Sequence, residues 1–154
     1  MTSIAIIGAG GKMGFRTSAN LQETDYDVAH VEPGEAGRER LATLGIEAAE
    51  VADSVPSADV VILTVPDNRI GRVSKEIVPQ MKAGATLVVL DAAAPYAGEI
   101  ALRDDISAVA CPPCHPPVFS DEVETAAQQD YFGGVAAKQD VVIAVISGTE
   151  DRKS

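Results

Sequence analysis

The apolar run Ser3-Ile4-Ala5-Ile6-Ile7 stops abruptly in Gly8-Ala9-Gly10-Gly11-Lys12-Met13-Gly14, and a helix-compatible stretch from Phe15 to Gln22 follows. A strand joined by glycines to a helix is the layout of a dinucleotide-binding crossover. The glycines permit a sharp turn and let a diphosphate approach with no Cβ in its path. The first helical turn offers unpaired N–H groups and the positive end of the helix dipole. A chain that opens this way is committed to alternating strands and helices, with an acid at the end of its second strand.

The glycine spacing admits three registers. Gly8 and Gly10 begin a G-x-G, but Gly14 then falls one residue late; Ala9, Gly11 and Gly14 fit with alanine in first place; Gly8, Gly11 and Gly14 form G-x-x-G-x-x-G. A glycine cluster that is only a turn is the competing reading. Position, strand and helix together favour a phosphate cradle over Gly8, Gly10, Gly11, Lys12, Met13 and Gly14.

Alternation continues along the chain. Strands are expected at Ser3 to Ile7, Asp27 to Val31, Ile46 to Ala49 (weakly), Asp59 to Val65, Ala85 to Leu90, Ile106 to Ala110 and Asp140 to Ile146. Helical spacing covers Gly34 to Leu44 and Arg69 to Met81, the latter through Ile70, Val73, Ile77 and Met81. Strands that are apolar on both faces, interleaved with amphipathic helices, predict an α/β fold: a doubly wound, mostly parallel Rossmann sheet with helices on both faces. The 154 residues suit one dinucleotide-binding domain. Cys111 to about Gly134 is the one long irregular stretch. Within it Asp121 to Gln129 reads as a helix with Ser120 as N-cap, because acids crowd its first turn. After a strand ending at Ile146-Ser147-Gly148, Thr149 to Arg152 resembles the first turn of another helix.

The formal net charge of −11 argues against nucleic acid and anionic membranes as partners, while a local N–H cradle can still hold a phosphate. No apolar run approaches the ~20 residues of a membrane span. The N-terminus lacks the basic flank and cleavage site of a secretory signal, so the cytoplasm is the expected compartment.

Glu32 ends the second strand, 22 residues after Gly10. An acid there accepts hydrogen bonds from the adenosine ribose and repels a 2′-phosphate, which favours NAD over NADP; the competing reading is an exposed glutamate beside Pro33-Gly34. Arg38 and Arg40 would admit NADP if they faced the ribose. Val65 and Pro66 follow a strong strand and should line the cofactor's flat ring. Asp67 joins them or caps the next helix. Asp91, Ala92 and Ala93 occupy the equivalent place one strand on, where small residues allow close approach of nicotinamide or substrate, or simply make a turn.

Cys111-Pro112-Pro113-Cys114-His115 matches the haem-attachment string and the spacing of a redox dithiol. The first needs an exporting context, and the second normally opens a helix, which Pro116 and Pro117 oppose. Zinc would need another ligand, and His30, the only other histidine, lies on a core strand. The preferred candidate is His115 alone, just past a strand end in a rigid proline frame. A histidine there can hold or remove a hydroxyl proton as hydride leaves, or serve only as a structural residue.

Taken together, Ile7 to Gly14, Val65-Pro66-Asp67-Asn68, Asp91 to Gly98, Cys114-His115-Pro116-Pro117-Val118-Phe119 and Asp130-Tyr131-Phe132-Gly133-Gly134 resemble the phosphogluconate dehydrogenase-like oxidoreductases, the group that includes D-apionate oxidoisomerase. The resemblance spans almost the whole chain. More distantly, the His-Pro pair is similar to that of prephenate dehydrogenases, where the histidine contacts the substrate hydroxyl. The family implies an N-terminal Rossmann domain, bound NAD(P) and oxidation of a sugar-acid hydroxyl. It also implies a C-terminal helical domain, expected to lie outside this chain, that supplies dimer contacts. Two main readings follow: the cofactor domain of a sugar-acid dehydrogenase that is a homodimer at full length, or an isolated NAD(H)-binding regulatory domain without catalysis. A weaker third is a thiol redox protein using Cys111 and Cys114.

Overall fold

The computed structural model describes residues 1–113, 121–130, 136–137 and 140–148. Six strands form a single sheet in the order β2-β1-β3-β4-β5-β6. They are β1 (Ser3–Ile7), β2 (Asp27–Val31), β3 (Val60–Leu63), β4 (Thr86–Val89), β5 (Ser107–Ala110) and β6 (Ala144–Ser147). The first five in that order run parallel, and β6 is antiparallel to β5. Helices α1 (Lys12–Leu21), α2 (Glu35–Ala42), α3 (Val51–Ser54), α4 (Asp67–Ile77), α5 (Ala93–Tyr96) and α6 (Thr125–Gln128) complete the described elements, with a 3₁₀ turn at Val78–Gln80. The expected doubly wound Rossmann architecture is what the chain adopts.

Strand parity explains why both faces need cover. Side chains alternate across a strand, so Ala5 and Ile7 of β1 share one face with Val61, Leu63, Leu87 and Val89, against Ile70 and Ile77 of α4. Ile4 and Ile6 point to the other face, where they pack with Leu41 of α2. The order places β1 at a reversal. The chain moves outward from β1 to β2, then crosses back to β3 on the other side of β1. Ligands of open α/β sheets bind beyond the strand ends at such a switch point. Here it lies between Ile7 and Leu63, which are paired in register.

Several local expectations are corrected. Ile46 to Ala49 is not a strand: it makes one isolated bridge, Val31 to Ala49, with the Ala49 N–H donating to the His30 carbonyl at 2.8 Å. Gly45 enters it at φ +72°, and α3 begins at Val51, so too few residues remain to extend a ladder. The helix expected from Arg69 starts at Asp67 and stops at Ile77, because Pro79 has no N–H to return to Lys75. α1 begins at Lys12, three residues before Phe15, with Gly11 in the N-cap position. β6 starts at Ala144 rather than Asp140, because its partner β5 ends at Ala110, opposite Ala144. α6 covers Thr125–Gln128 with Glu124 at its N-cap position, and Ser120 and residues 149–154 lie outside the described residues. The four-residue helices α3 and α5 had no periodic signal to announce them.

Candidate functional site

Two adjoining cavities open at the switch point. The larger, about 310 Å³, lies over the carboxyl ends of β1, β2 and β3; its lining includes Gly8, Gly11, Glu32, Glu50, Thr64 and Arg69. The smaller, about 280 Å³, lies toward β4 and β5 and is lined by Met13, Thr64, Val65, Asp67, Ile70, Leu90, Asp91 and Pro113. Thr64 and Val65 form the shared wall.

The glycine turn is built largely from its own hydrogen bonds. The N–H groups of Gly8 and Ala9 both donate to the Val31 carbonyl, at 2.9 and 3.1 Å. Gly10 N–H donates to Glu32 Oε2 at 2.9 Å. Gly11 N–H donates to the Gly8 carbonyl at 2.9 Å. The expectation that amides all along Gly8–Gly14 serve a diphosphate is therefore corrected. Gly8, Gly10 and Gly11 shape the turn, while Lys12, Met13 and Gly14 carry the first-turn N–H groups that an α-helix cannot satisfy internally. Gly11 provides no side-chain cap for them. Gly11 lines the larger cavity and Met13 the smaller, so the positive end of α1 begins beside both.

Each glycine has a separate steric reason. Gly8 takes φ +83°, and a Cβ there would lie 3.0 Å from Val65 Cγ1. A Cβ on Gly10 would overlap the Gly37 Cα and lie 2.6 Å from its carbonyl carbon, so Gly10 lets α2 dock on the turn. Gly10→Val would accordingly disturb the fold as well as the ligand path. A Cβ on Gly14 would overlap the Gly8 carbonyl oxygen and sit 2.7 Å from both Ala9 Cα and Thr64 Oγ1. This is the close helix–strand approach expected of the third glycine. The steric demands fall on Gly8, Gly10 and Gly14, the G-x-G register whose closing glycine comes one residue late, whereas a Cβ on Gly11 would lie 3.1 Å from the Gly8 carbonyl oxygen.

Glu32 is fixed from two sides. Its Oε2 accepts from Gly10 N–H and its Oε1 from Gly34 N–H, each at 2.9 Å. Each oxygen keeps a second lone pair, and the side chain lines the larger cavity. The basic residues flagged from sequence are both engaged: Arg38 Nη2 lies 2.8 Å from Glu50 Oε1, and Arg40 Nη1 donates to the Gly10 carbonyl at 2.6 Å. Thr64, the first residue of the turn that carries Val65 and Pro66, has its Oγ1 2.9 Å from the Ile7 carbonyl and 3.0 Å from that of Gly8, sharing one proton between them. It fastens β3 to the glycine turn. Glu50, Arg69 and Arg72 were missed from sequence; arginines one helical turn apart on the helix after a strong strand were the available signal.

Val65 lines both cavities; Pro66 lines the larger, at the N-cap position of α4. Asp67 is the first residue of α4 and lines the smaller cavity; the capping role expected of it is corrected, because Pro66 holds the N-cap position and no side chain caps the helix. Asp91 lines that cavity and accepts from Ala93 N–H at 2.6 Å. Ala92 and Ala93 stand beside it at the start of α5, without lining either cavity. Cys111 follows β5 with its N–H on the Val89 carbonyl at 2.9 Å. Cys114 and His115 lie outside the described residues. His30 is buried, with Nδ1 2.9 Å from Ser18 Oγ, and burial holds its pKa below the usual histidine value. It is a core residue. Among the described residues no helix is long and apolar enough to cross a membrane.

Known proteins are similar to this chain in sequence or fold. D-apionate oxidoisomerase of Rhizobium rhizogenes is 47% identical over 151 residues, covering 97% of this chain and 55% of that protein. The crystal structure of a semialdehyde dehydrogenase NAD-binding protein from Cupriavidus necator, in complex with calcium and NAD, superposes with a TM-score of 0.91 at 45% identity, over 98% of this chain and 55% of that one. An NADH-preferring ketol-acid reductoisomerase from an uncultured archaeon shares the fold, with a TM-score of 0.68 at 20% identity over 94% of this chain and 43% of that one. The chain thus spans about half the length of the curated relatives it matches. The sequence profile described as the NADPH-binding domain of acetohydroxy acid isomeroreductase matches residues 1–146. With the switch-point cavities, the glycine turn and this match in agreement, the chain belongs to the acetohydroxy acid isomeroreductase NADPH-binding domain family.

Proposed function

We propose that this chain binds NAD across the two cavities and serves as the cofactor domain of an oxidoreductase that acts on the CH–OH group of a sugar acid, of the kind named for its D-apionate oxidoisomerase relatives. The observation that carries the reading is the uncapped first turn of α1, Lys12 to Gly14, opening beside a carboxylate pinned at the end of β2. The residues present fit a dinucleotide. N–H donors suit a diphosphate, Glu32 has lone pairs for a ribose diol, and Val65 and Pro66 give apolar contact. NADP would set a 2′-phosphate, carrying about −1.5 to −2 charges at neutral pH, against Glu32, so NAD is the preferred form.

NAD supplies a hydride acceptor. The protein's part is to hold the substrate hydroxyl and take its proton, and we assign that to His115. Pro113, two residues earlier, lines the smaller cavity. Neutral imidazole nitrogen accepts such a proton near physiological pH. A homodimer of the full gene product is part of the same proposal, and light scattering tests it.

Calorimetric titration with NADH and NADPH tests the core of the reading. NADH should bind, and more tightly than NADPH. Failure of NADH to bind the folded chain refutes the reading. In the full gene product, His115→Asn should lower turnover of a sugar acid about 10²-fold or more while NADH affinity holds. Unchanged turnover would remove His115 from the mechanism.

A further inference from the structure

We infer that Glu50 is a cofactor-specificity latch: by holding Arg38 in an ion pair at the edge of the larger cavity, it keeps that guanidinium from a 2′-phosphate. The inference rests on the dinucleotide reading above and adds the residue pair that sets the choice between the two nicotinamide cofactors.

Arg38 stands where such a choice is made. It follows Gly37, the residue of α2 packed directly on the acid that ends β2: a Cβ added to Gly37 would sit 2.6 Å from Glu32 Cγ. An arginine near that acid is the usual partner of a 2′-phosphate. Arg38 is instead committed to Glu50, with Nη2 2.8 Å from Oε1. Glu50 itself lines the larger cavity together with Glu32 and Pro33, so the pair lies at the cavity's own margin. Both partners are well exposed, at 42% for Arg38 and 66% for Glu50. Exposed pairs of this kind hold weakly and exchange readily. A guanidinium and a phosphate, by contrast, match in geometry and can form two parallel charge-assisted hydrogen bonds. The latch therefore works by occupying Arg38 and by adding a second carboxylate beside Glu32. Arg40 is engaged elsewhere: its Nη1 donates to the Gly10 carbonyl and steadies the turn.

Nicotinamide fluorescence titrations of the wild type, Glu50→Gln, Arg38→Met and the double variant test the latch. In Glu50→Gln the ratio of NADPH to NADH affinity should rise about threefold, in keeping with the weak hold of an exposed pair. In the double variant most of that rise should disappear. A gain in affinity cannot arise from misfolding. An unchanged ratio in Glu50→Gln overturns the latch. An equal rise in the double variant overturns it too, since loss of a negative charge would then suffice without Arg38. If the wild type binds neither cofactor, the dinucleotide reading fails first and the latch with it.

Discussion

Gly14→Ala sets two opposing effects against each other. Alanine is the better helix former, so the change alone should favour α1 by about 1 kcal/mol. The new methyl, however, would overlap the Gly8 carbonyl oxygen and stand 2.7 Å from Ala9 Cα and from Thr64 Oγ1. None of these neighbours is the loose end of a flexible side chain. Two are backbone atoms, and Thr64 Oγ1 is held between the Ile7 and Gly8 carbonyls. Overpacking against a rigid wall costs about 3 kcal/mol at the upper end of its usual range. Subtracting the helix gain leaves a net loss of about 2 kcal/mol. For a domain of this size that lowers the melting temperature by about 4–8 °C. The same displacement moves the Lys12 and Met13 amides outward, so NADH affinity should fall with it. Thermal unfolding followed by far-ultraviolet circular dichroism is the assay. A variant that melts at or above the wild-type temperature would refute the close approach of α1 to β1 and leave helix propensity as the only effect at this position.

Three further outcomes are expected. Glu32→Ala removes the acceptor of the Gly10 and Gly34 amides; it should weaken NADH binding and lower stability by about 1–3 kcal/mol, measured by urea unfolding and titration, and a variant of wild-type stability would show that the pinning is dispensable. Burial depresses the His30 pKa in the folded chain, so neutral His30 adds stability that is full above the unfolded value of about 6.5 and is lost as pH falls through the lowered folded value; His30→Asn should flatten the stability profile in that window, and an unaltered profile would refute the assignment. Asp59 is held well below the ordinary carboxylate range, first by the hydrogen bond it accepts from Lys82 and then by those from Ser3, so its contribution is present above about pH 4 and disappears toward lower pH; Asp59→Asn should destabilise the chain at neutral pH and soften its acid unfolding, whereas identical acid midpoints would contradict that direction.

The β1 segment, the glycine turn and Glu32 were legible because each is a local signal. An apolar run five residues long, a cluster of glycines and an acid at a strand end fix backbone conformation or chemistry within a few residues. The parity of β1 and β3 even anticipated that both faces of the sheet would be covered. Ile46 to Ala49 was misread, because a short apolar stretch becomes a strand only if a neighbour has length to pair with it. Helices α3 and α5 escaped for the opposite reason: four residues are too few for a helical period.

What residue order could specify was therefore the α/β alternation, the place of the glycine turn and the acid facing it. It could not specify that the Gly10 amide meets Glu32 and its carbonyl Arg40, that Gly10 exists for contact with Gly37, or that Arg38 is taken by Glu50. Those partners lie 22, 30, 27 and 12 residues apart. They meet only once strand pairing has set β2 beside β1 and α2 has docked on the turn. Periodicity records which face a residue shows to the core; it carries no record of which donor and acceptor arrive at the same point when separate elements pack.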